Sequence, residues 1–343
     1  MDLAQSTTKK LDRNMMRKQH PTPPVFHRKK CAFLEDNDRM TIGHYIKEIG
    51  RGKDGARALS RGESADMLGQ ILDGAVSDLE VGAFCIAMRI KGESTEEMCG
   101  FLDATQQRLT KIQICPTAPH RPAVVIPTYN GARKLPVLTP LLALLLAREG
   151  FPVVMHGTAT EDKRVFTSEV LAALDVLPRA VTEPVAGGEL TFFPTDQLHA
   201  GLQRLLDVRR TIKLRNPAHS LVKLMLPCSG PQLLVTSYTH PEYAQSMEQV
   251  LCSMQSTAML IRGTEGEAVA DPRRMPTMRC ILRGQASAVQ EHQSGVLASL
   301  PELPSRDAPS TAAYIRAVMQ GELSVPAPIA MQVQQILQMA AAL

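Results

Sequence analysis

The chain has 343 residues, 44% hydrophobic and 21% charged, long enough to bury an apolar core in one large domain or two ordinary ones. No window reaches the ~18 apolar residues that span a bilayer. Seven scattered cysteines without C-x-x-C, and nine histidines without ligand spacing, argue for a reducing cytoplasm and against a disulfide frame or a structural metal. The net charge of +4 lies wholly in residues 1–39, which hold nine Lys/Arg against five Asp/Glu, so any polyanion affinity in residues 40–343 depends on how charge is arranged there.

Residues 1–39 contain Pro21, Pro23 and Pro24 and the basic pairs Lys9–Lys10 and Lys29–Lys30, with no sustained periodicity, and read as a disordered basic tail. Met40 stands at the onset of the ordered pattern, so a translation start there is the alternative. Residues 40–110 are helical throughout. Ser77-x-x-Glu80 and Ser94-x-x-Glu97 are capping boxes, in which serine and glutamate satisfy each other's free N–H groups. Behind them lie the apolar faces of Leu79, Ala83, Ile86 and Ile90, and of Met98, Phe101, Leu102 and Thr105. With helices near 42–49 and 64–72 this predicts a four-helix domain, whose first connection carries Lys47, Arg51, Lys53, Arg57 and Arg61 against Glu48 and Asp54.

Residues 111–122, with three prolines, read as a hinge. After it the pattern alternates. A strand at 123–126, a glycine-bearing loop, a helix capped by Thr139 and ending at Gly150, and a strand at 151–155 form a βαβ unit with parallel strands. Strands at 233–237, 258–262 and 278–283 and helices at 162–175, 196–211, 217–225, 242–254, 311–320 and 329–342 complete an α/β domain over 123–343. The helix around 196–211 is a candidate to pack with the helical domain, and 284–309 reads as the least ordered part.

Residues 204–223 are the strongest functional signal. Arg204, Arg209, Arg210, Lys213, Arg215 and Lys223 face one acid, Asp207, a formal +5. Asn216 followed by Pro217 reads as a helix start, placing Arg215 at a positive helix end that suits phosphate or carboxylate. His219 and Lys223, four residues apart, extend that face. Ligands of a parallel sheet bind beyond the carboxyl ends of its strands, so Tyr129, Asn130, Gly131, Arg133 and Lys134 form a second anion-facing loop. Tyr129 is the best stacking platform in a chain without Trp. Neither nucleotide fingerprint, G-x-G-x-x-G or G-x-x-x-x-G-K-[ST], is present. His240-Pro-Glu-Tyr243 reads as a helix cap rather than an acid–base pair.

The stretches IKEIGRGK (46–53), RIKGE (89–93), YNGARK (129–134), LTPLLA (138–143), GFPVV (150–154), RN-x-AH (215–219), HPEY (240–243) and GTEGE (263–267) resemble glycosyltransferase family 3, the anthranilate phosphoribosyltransferase-like proteins. They resemble most its YbiB group, a sister branch described as DNA-binding. The resemblance implies a small helical domain plus an α/β domain with a mostly parallel sheet, and a homodimer formed through the helical domain. It also implies what is missing. The family's diphosphate loop G-T-G-G-D falls at Pro127 to Gly131, its magnesium-holding Asp-Glu pair at Ala268 and Val269, and the lysine of its K-H-G-N motif at Met155, while Arg215 matches an arginine that recognises an anionic acceptor. The expectation is a non-enzymatic, cytoplasmic nucleic-acid-binding protein with little sequence preference and no cofactor or metal. It would use Lys47, Arg51, Lys53, Arg57, Tyr129, Asn130, Arg133, Lys134, Arg204, Arg209, Arg210, Lys213, Arg215, His219 and Lys223, with single strands favoured if Tyr129 stacks. The alternatives are a phosphoribosyltransferase acting on an unidentified acceptor and a scaffold for an acidic protein partner.

Overall fold

The computed structural model describes residues 41–343 apart from 53, 117–120, 162, 291, 292 and 296. The expected tail at 1–39, Met40 and Lys53 lie outside the described residues.

Four helices open the described chain: α1 (Gly43–Ile49), α2 (Arg61–Asp73), α3 (Asp78–Lys91) and α4 (Thr95–Arg108). The boxes at Ser77/Glu80 and Ser94/Glu97 form as expected, and a third at Ser60/Glu63 starts α2 earlier than the sequence reading placed it. Glu97 does more than cap. Buried at the bundle's centre, it also accepts the Leu59 N–H (3.0 Å) and the Lys91 ammonium (2.6 Å), fixing the long first loop to α4. The predicted apolar face of α3 requires correction. Phe84, Cys85 and Met88 are the residues buried, whereas Leu79, Ile86 and Ile90 are 83%, 38% and 61% exposed. Periodicity finds an apolar stripe but does not say what covers it, and here a second stripe is left open.

The sheet comprises β1 (Ala123–Thr128), β2 (Val153–Gly157), β3 (Leu190–Pro194), β4 (Gln232–Tyr238), β5 (Ala258–Arg262), β6 (Met278–Leu282) and β7 (Gln285–Gln290), in the order β3-β2-β1-β4-β5-β6-β7. The first five strands run parallel, and β6 and β7 add an antiparallel edge. Sequence reading did not find β3 or β7, and the region 284–309, expected to be least ordered, contains β7. Among the helices, α5 (Thr139–Arg148) follows β1, α6 (Thr167–Ala173) follows β2, and α10 (Pro241–Ser253) follows β4. The helix expected at 196–211 is broken at His199 into α7 (Thr195–Leu198) and α8 (Ala200–Ile212), and α9 (Ala218–Leu221) is a single turn. α11 (Ala308–Gln320) and α12 (Ala327–Ala341) close the chain.

Alternation along β1 divides the interior, as the two-residue period of a strand requires. Val125 joins a core shared with the bundle residues Phe84 and Phe101, while Val124 and Ile126 face Leu141, Ile315 and Ile329 of α5, α11 and α12. α8 packs on α2 with almost no clearance: a Cβ at Gly201 would stand 2.1 Å from the Leu72 carbonyl oxygen. The described part of the proline-rich connection is pinned on both sides, Ile112 N–H to Pro227 O (2.9 Å) and Cys115 N–H to Val185 O (2.8 Å). Strand order reverses between β1 and β4, which puts the cleft of this sheet at their carboxyl ends.

Candidate anion-binding site

Immediately after β1 the chain turns inward. Tyr129 is only 4% exposed; its hydroxyl accepts from Thr195 Oγ1 (2.9 Å) and lies 2.8 Å from His156 Nδ1, with the two rings edge to face. Burial pushes the Tyr129 hydroxyl up and the His156 imidazole down, to about 3, so both are neutral at physiological pH. The expected stacking role of Tyr129 is therefore corrected: a ring enclosed by protein offers no face to a base. Asn130 is also buried, its amide donating to Gly266 O (2.7 Å). Gly131 follows at φ +59, where a Cβ would meet Val165 O at 2.6 Å.

The amides of this loop are occupied by the protein itself. Glu267, 1% exposed, receives the N–H groups of Asn130 and Gly131 at 2.8 Å each on Oε1. On Oε2 it receives the hydroxyls of Thr128 (2.5 Å), Thr167 (3.0 Å) and Thr139 (3.3 Å). Thr139 is thus committed to Glu267 and does not cap α5, as the sequence reading had it; Leu138 holds that position and makes no side-chain cap bond. Glu265 accepts the N–H groups of Arg133 (3.1 Å), Lys134 (2.7 Å) and Leu135 (3.0 Å). Two carboxylates from one turn thereby take five backbone donors, the arrangement that otherwise receives phosphate.

Around this plugged loop lies a band of cations. Glu161, beyond the carboxyl end of β2, is the hub that sequence reading missed. It pairs with Arg209 (2.9 Å), Arg164 (3.2 Å) and Arg215 (3.4 Å). Burial alone would raise its carboxyl, but the Arg209 hydrogen bond and the Arg164 charge outweigh it and hold the group at about 2. Arg164 also reaches Gly131 O (3.2 Å), which ties the hub to the first loop. Arg210 is exposed, pairing with Asp207 (3.1 Å) and reaching Ala159 O (3.2 Å); Lys213, exposed, ends α8 at φ +59. Position in the sequence was the available signal for the hub, since Glu161 and Arg164 sit in the polar run after the second parallel strand. The convergence of residues 164, 209 and 215 on one acid was not readable.

The remaining expected residues divide. Asn216 accepts the Ala218 N–H (3.0 Å) and donates to Leu205 O (2.7 Å) just ahead of α9, but the N-cap is Pro217 rather than the expected Asn216, and one turn sums too little dipole to make a strong anion site of the helix end. Burial, then the Arg215 charge, lowers His219 to about 4, leaving it neutral where a polyanion contact was expected. Lys223 is drawn inward to Gly266 O (3.3 Å), and burial lowers it to about 8. Arg204 projects from another face of α8, where it donates to Leu72 O (2.9 Å) and covers Gly74. Arg133 and Lys134 keep exposed side chains beside the loop. Lys47, Arg51 and Arg57 are exposed, Arg51 bound to Glu48 at 2.5 Å, and among the described residues no hydrogen bond or ion pair joins them to the band. His240 begins α10 through its backbone, and its side chain makes no cap bond.

Magnesium in the family's position would need oxygen ligands. Ala268 and Val269 are buried and supply none, and Glu265 and Glu267 spend theirs on amides and hydroxyls. The residues present do not fit that metal.

Comparison with known proteins agrees with this architecture. Residues 44–108 match the helical bundle domain of the glycosyl transferase family. The fold is that of anthranilate phosphoribosyltransferase. The Thermus thermophilus enzyme superposes with a TM-score of 0.65 at 22% identity over 84% of this chain and 85% of that one. The Saccharomyces cerevisiae enzyme, solved in complex with PRPP and Mg, gives 0.63 at 15% identity over 88% and 89%. In sequence, anthranilate phosphoribosyltransferase of Methylobacterium nodulans is 27% identical over 81% of this chain and 82% of its own. YbiB of Escherichia coli K12, itself uncharacterized, is 37% identical over 85% of this chain and 92% of its own. The chain belongs to the YbiB family of anthranilate phosphoribosyltransferase-like proteins. Among the described residues no helix is long and apolar enough to cross a membrane.

Proposed function

We propose that this protein binds nucleic acid through phosphate contacts, with little sequence preference, and does not transfer phosphoribose. The observation that carries this reading is the filling of the β1 loop by Glu265 and Glu267, which occupies the amides a diphosphate would need while Arg164, Arg209 and Arg215 converge on Glu161 next to it, with Arg210 and Lys213 exposed at the end of α8. Phosphate contacts of this kind position a protein without reading bases. The buried Tyr129 removes the reason to favour single strands. The open stripe of Leu79, Ile86 and Ile90 on α3 suits a second copy of the chain, giving a homodimer through the helical domain and two cationic bands per particle.

The test is fluorescence anisotropy of labelled random oligonucleotides, single- and double-stranded, at several salt concentrations. Log affinity should fall linearly with log salt, by ~0.7 per phosphate for a single strand and ~0.9 for a duplex. Phosphoribosyl pyrophosphate with magnesium should leave the melting temperature unchanged. The rival reading, an active phosphoribosyltransferase, is favoured by the 27% identity to the Methylobacterium enzyme and requires the opposite result.

A further inference from the structure

We propose that the amides of Arg133, Lys134 and Leu135, with the side chains of Lys134 and Arg306, form a phosphate site whose resident occupant is the Glu265 carboxylate. The inference rests on the nucleic-acid reading only for the source of the phosphate. Three N–H groups converge on one carboxylate within 2.7–3.1 Å, a geometry selective for an oxyanion and indifferent to what carries it.

The two acids of this turn are held differently. Glu267 is sealed among five donors, three of them hydroxyls from separate elements, and cannot leave without stranding them. Glu265 is half-exposed and held by amides alone, on a backbone at φ +53 that non-glycine residues rarely adopt. Beside it opens a groove of about 530 Å³ lined by Lys134, Leu135, Pro136 and residues 303–307. Arg306 is fixed at its rim by donating to Arg133 O (2.6 Å). The Lys134 ammonium has no hydrogen bond or ion pair among the described residues. A phosphodiester carries the same single charge as the carboxylate but reaches both cations as well, so it fits the amides once the Glu265 carboxylate is withdrawn or neutralised. The hydrogen bond from Arg164 to Gly131 O ties the Glu161 hub to the loop that carries these amides.

The experiment compares the wild type with Glu265→Gln and Glu265→Ser by titration calorimetry with pyrophosphate and by anisotropy with a labelled random oligonucleotide. Both variants should bind pyrophosphate where the wild type does not. Their oligonucleotide affinity should rise about tenfold, the worth of one charge-assisted hydrogen bond. The salt slope should steepen by ~0.7 on a single strand. Adding Lys134→Ala and Arg306→Ala should erase the gain. Unchanged binding by both variants overturns the proposal. So does a lower melting temperature without any gain in binding, which would make Glu265 a structural brace. If no protein binds the oligonucleotide while the variants bind pyrophosphate, the nucleic-acid reading fails and the site stands.

Discussion

The Glu267 carboxylate lies 2.8 Å from the Gly131 amide although 136 residues separate them in the chain. That contact joins the turn after β5 to the loop after β1 across the switch point of the sheet, and it decides what the cleft can hold. Replacing Glu267 with Ala strands two amides and three hydroxyls in a dry site, and should cost ~3–5 kcal/mol. Glu267→Gln, which retains an acceptor, should lose less. Urea unfolding of the two variants measures the difference.

Tyr129→Phe removes a buried hydroxyl that serves Thr195 and His156. It should cost ~1–2 kcal/mol in stability and leave oligonucleotide affinity as it is. A loss of affinity at constant stability would restore the stacking role.

Glu161→Gln should tighten polyanion binding, because Arg164, Arg209 and Arg215 lose their internal counter-charge. The carboxyl of Glu161 is held near 2, below its unfolded value, so its contribution to stability is complete above about pH 5 and is lost as pH falls toward 2. Since water reaches the group, the stability difference between wild type and variant at pH 7 should be at most ~1 kcal/mol, vanishing near pH 2. Denaturant melts across that range give the sign.

Lys223 gives the same sign in a different window, here because burial disfavours its charged form. Its ammonium is lowered to about 8, below the unfolded value of ~10.4, so the unfolded chain binds more protons between those values and stability rises with pH through that window. Lys223→Met should flatten the rise. Anion affinity of the wild type should fall as pH passes 8, and that step should be absent in the variant, as read by anisotropy between pH 7 and 9.

Ile86→Glu, on the open stripe of α3, should leave the fold intact and shift the protein to monomer in sedimentation equilibrium. Oligonucleotide affinity should fall with it if two cationic bands act together. A monomeric wild type would remove this surface from the account.

The class of fold was legible because its signals are local. Alternating strands and helices from Ala123 onward and the serine–glutamate boxes in the bundle each depend on a few neighbouring residues, and β5 lies where its apolar run ends. β3 was missed because Leu190–Pro194 is short and closes on a proline, and β7 because Gln285–Gln290 lacks apolar alternation. The site was legible in part. Arg209 and Arg215 stand out as charge, but their shared partner Glu161 lies about fifty residues away and is chosen by the sheet. Leu79, Ile86 and Ile90 carry a correct helical period that tertiary packing did not use. Tyr129, beside basic residues in sequence, is turned inward by hydrogen bonds from α7 and β2.

A loop that waits for a diffusing ligand gains stability with the logarithm of that ligand's concentration. Glu267 is tethered, so the loop after β1 is saturated from the moment the chain folds, and dilution cannot empty it. The cleft's rigidity is therefore uncoupled from the metabolic state of the cell. The acceptor's share of the folding energy is carried by the sequence itself.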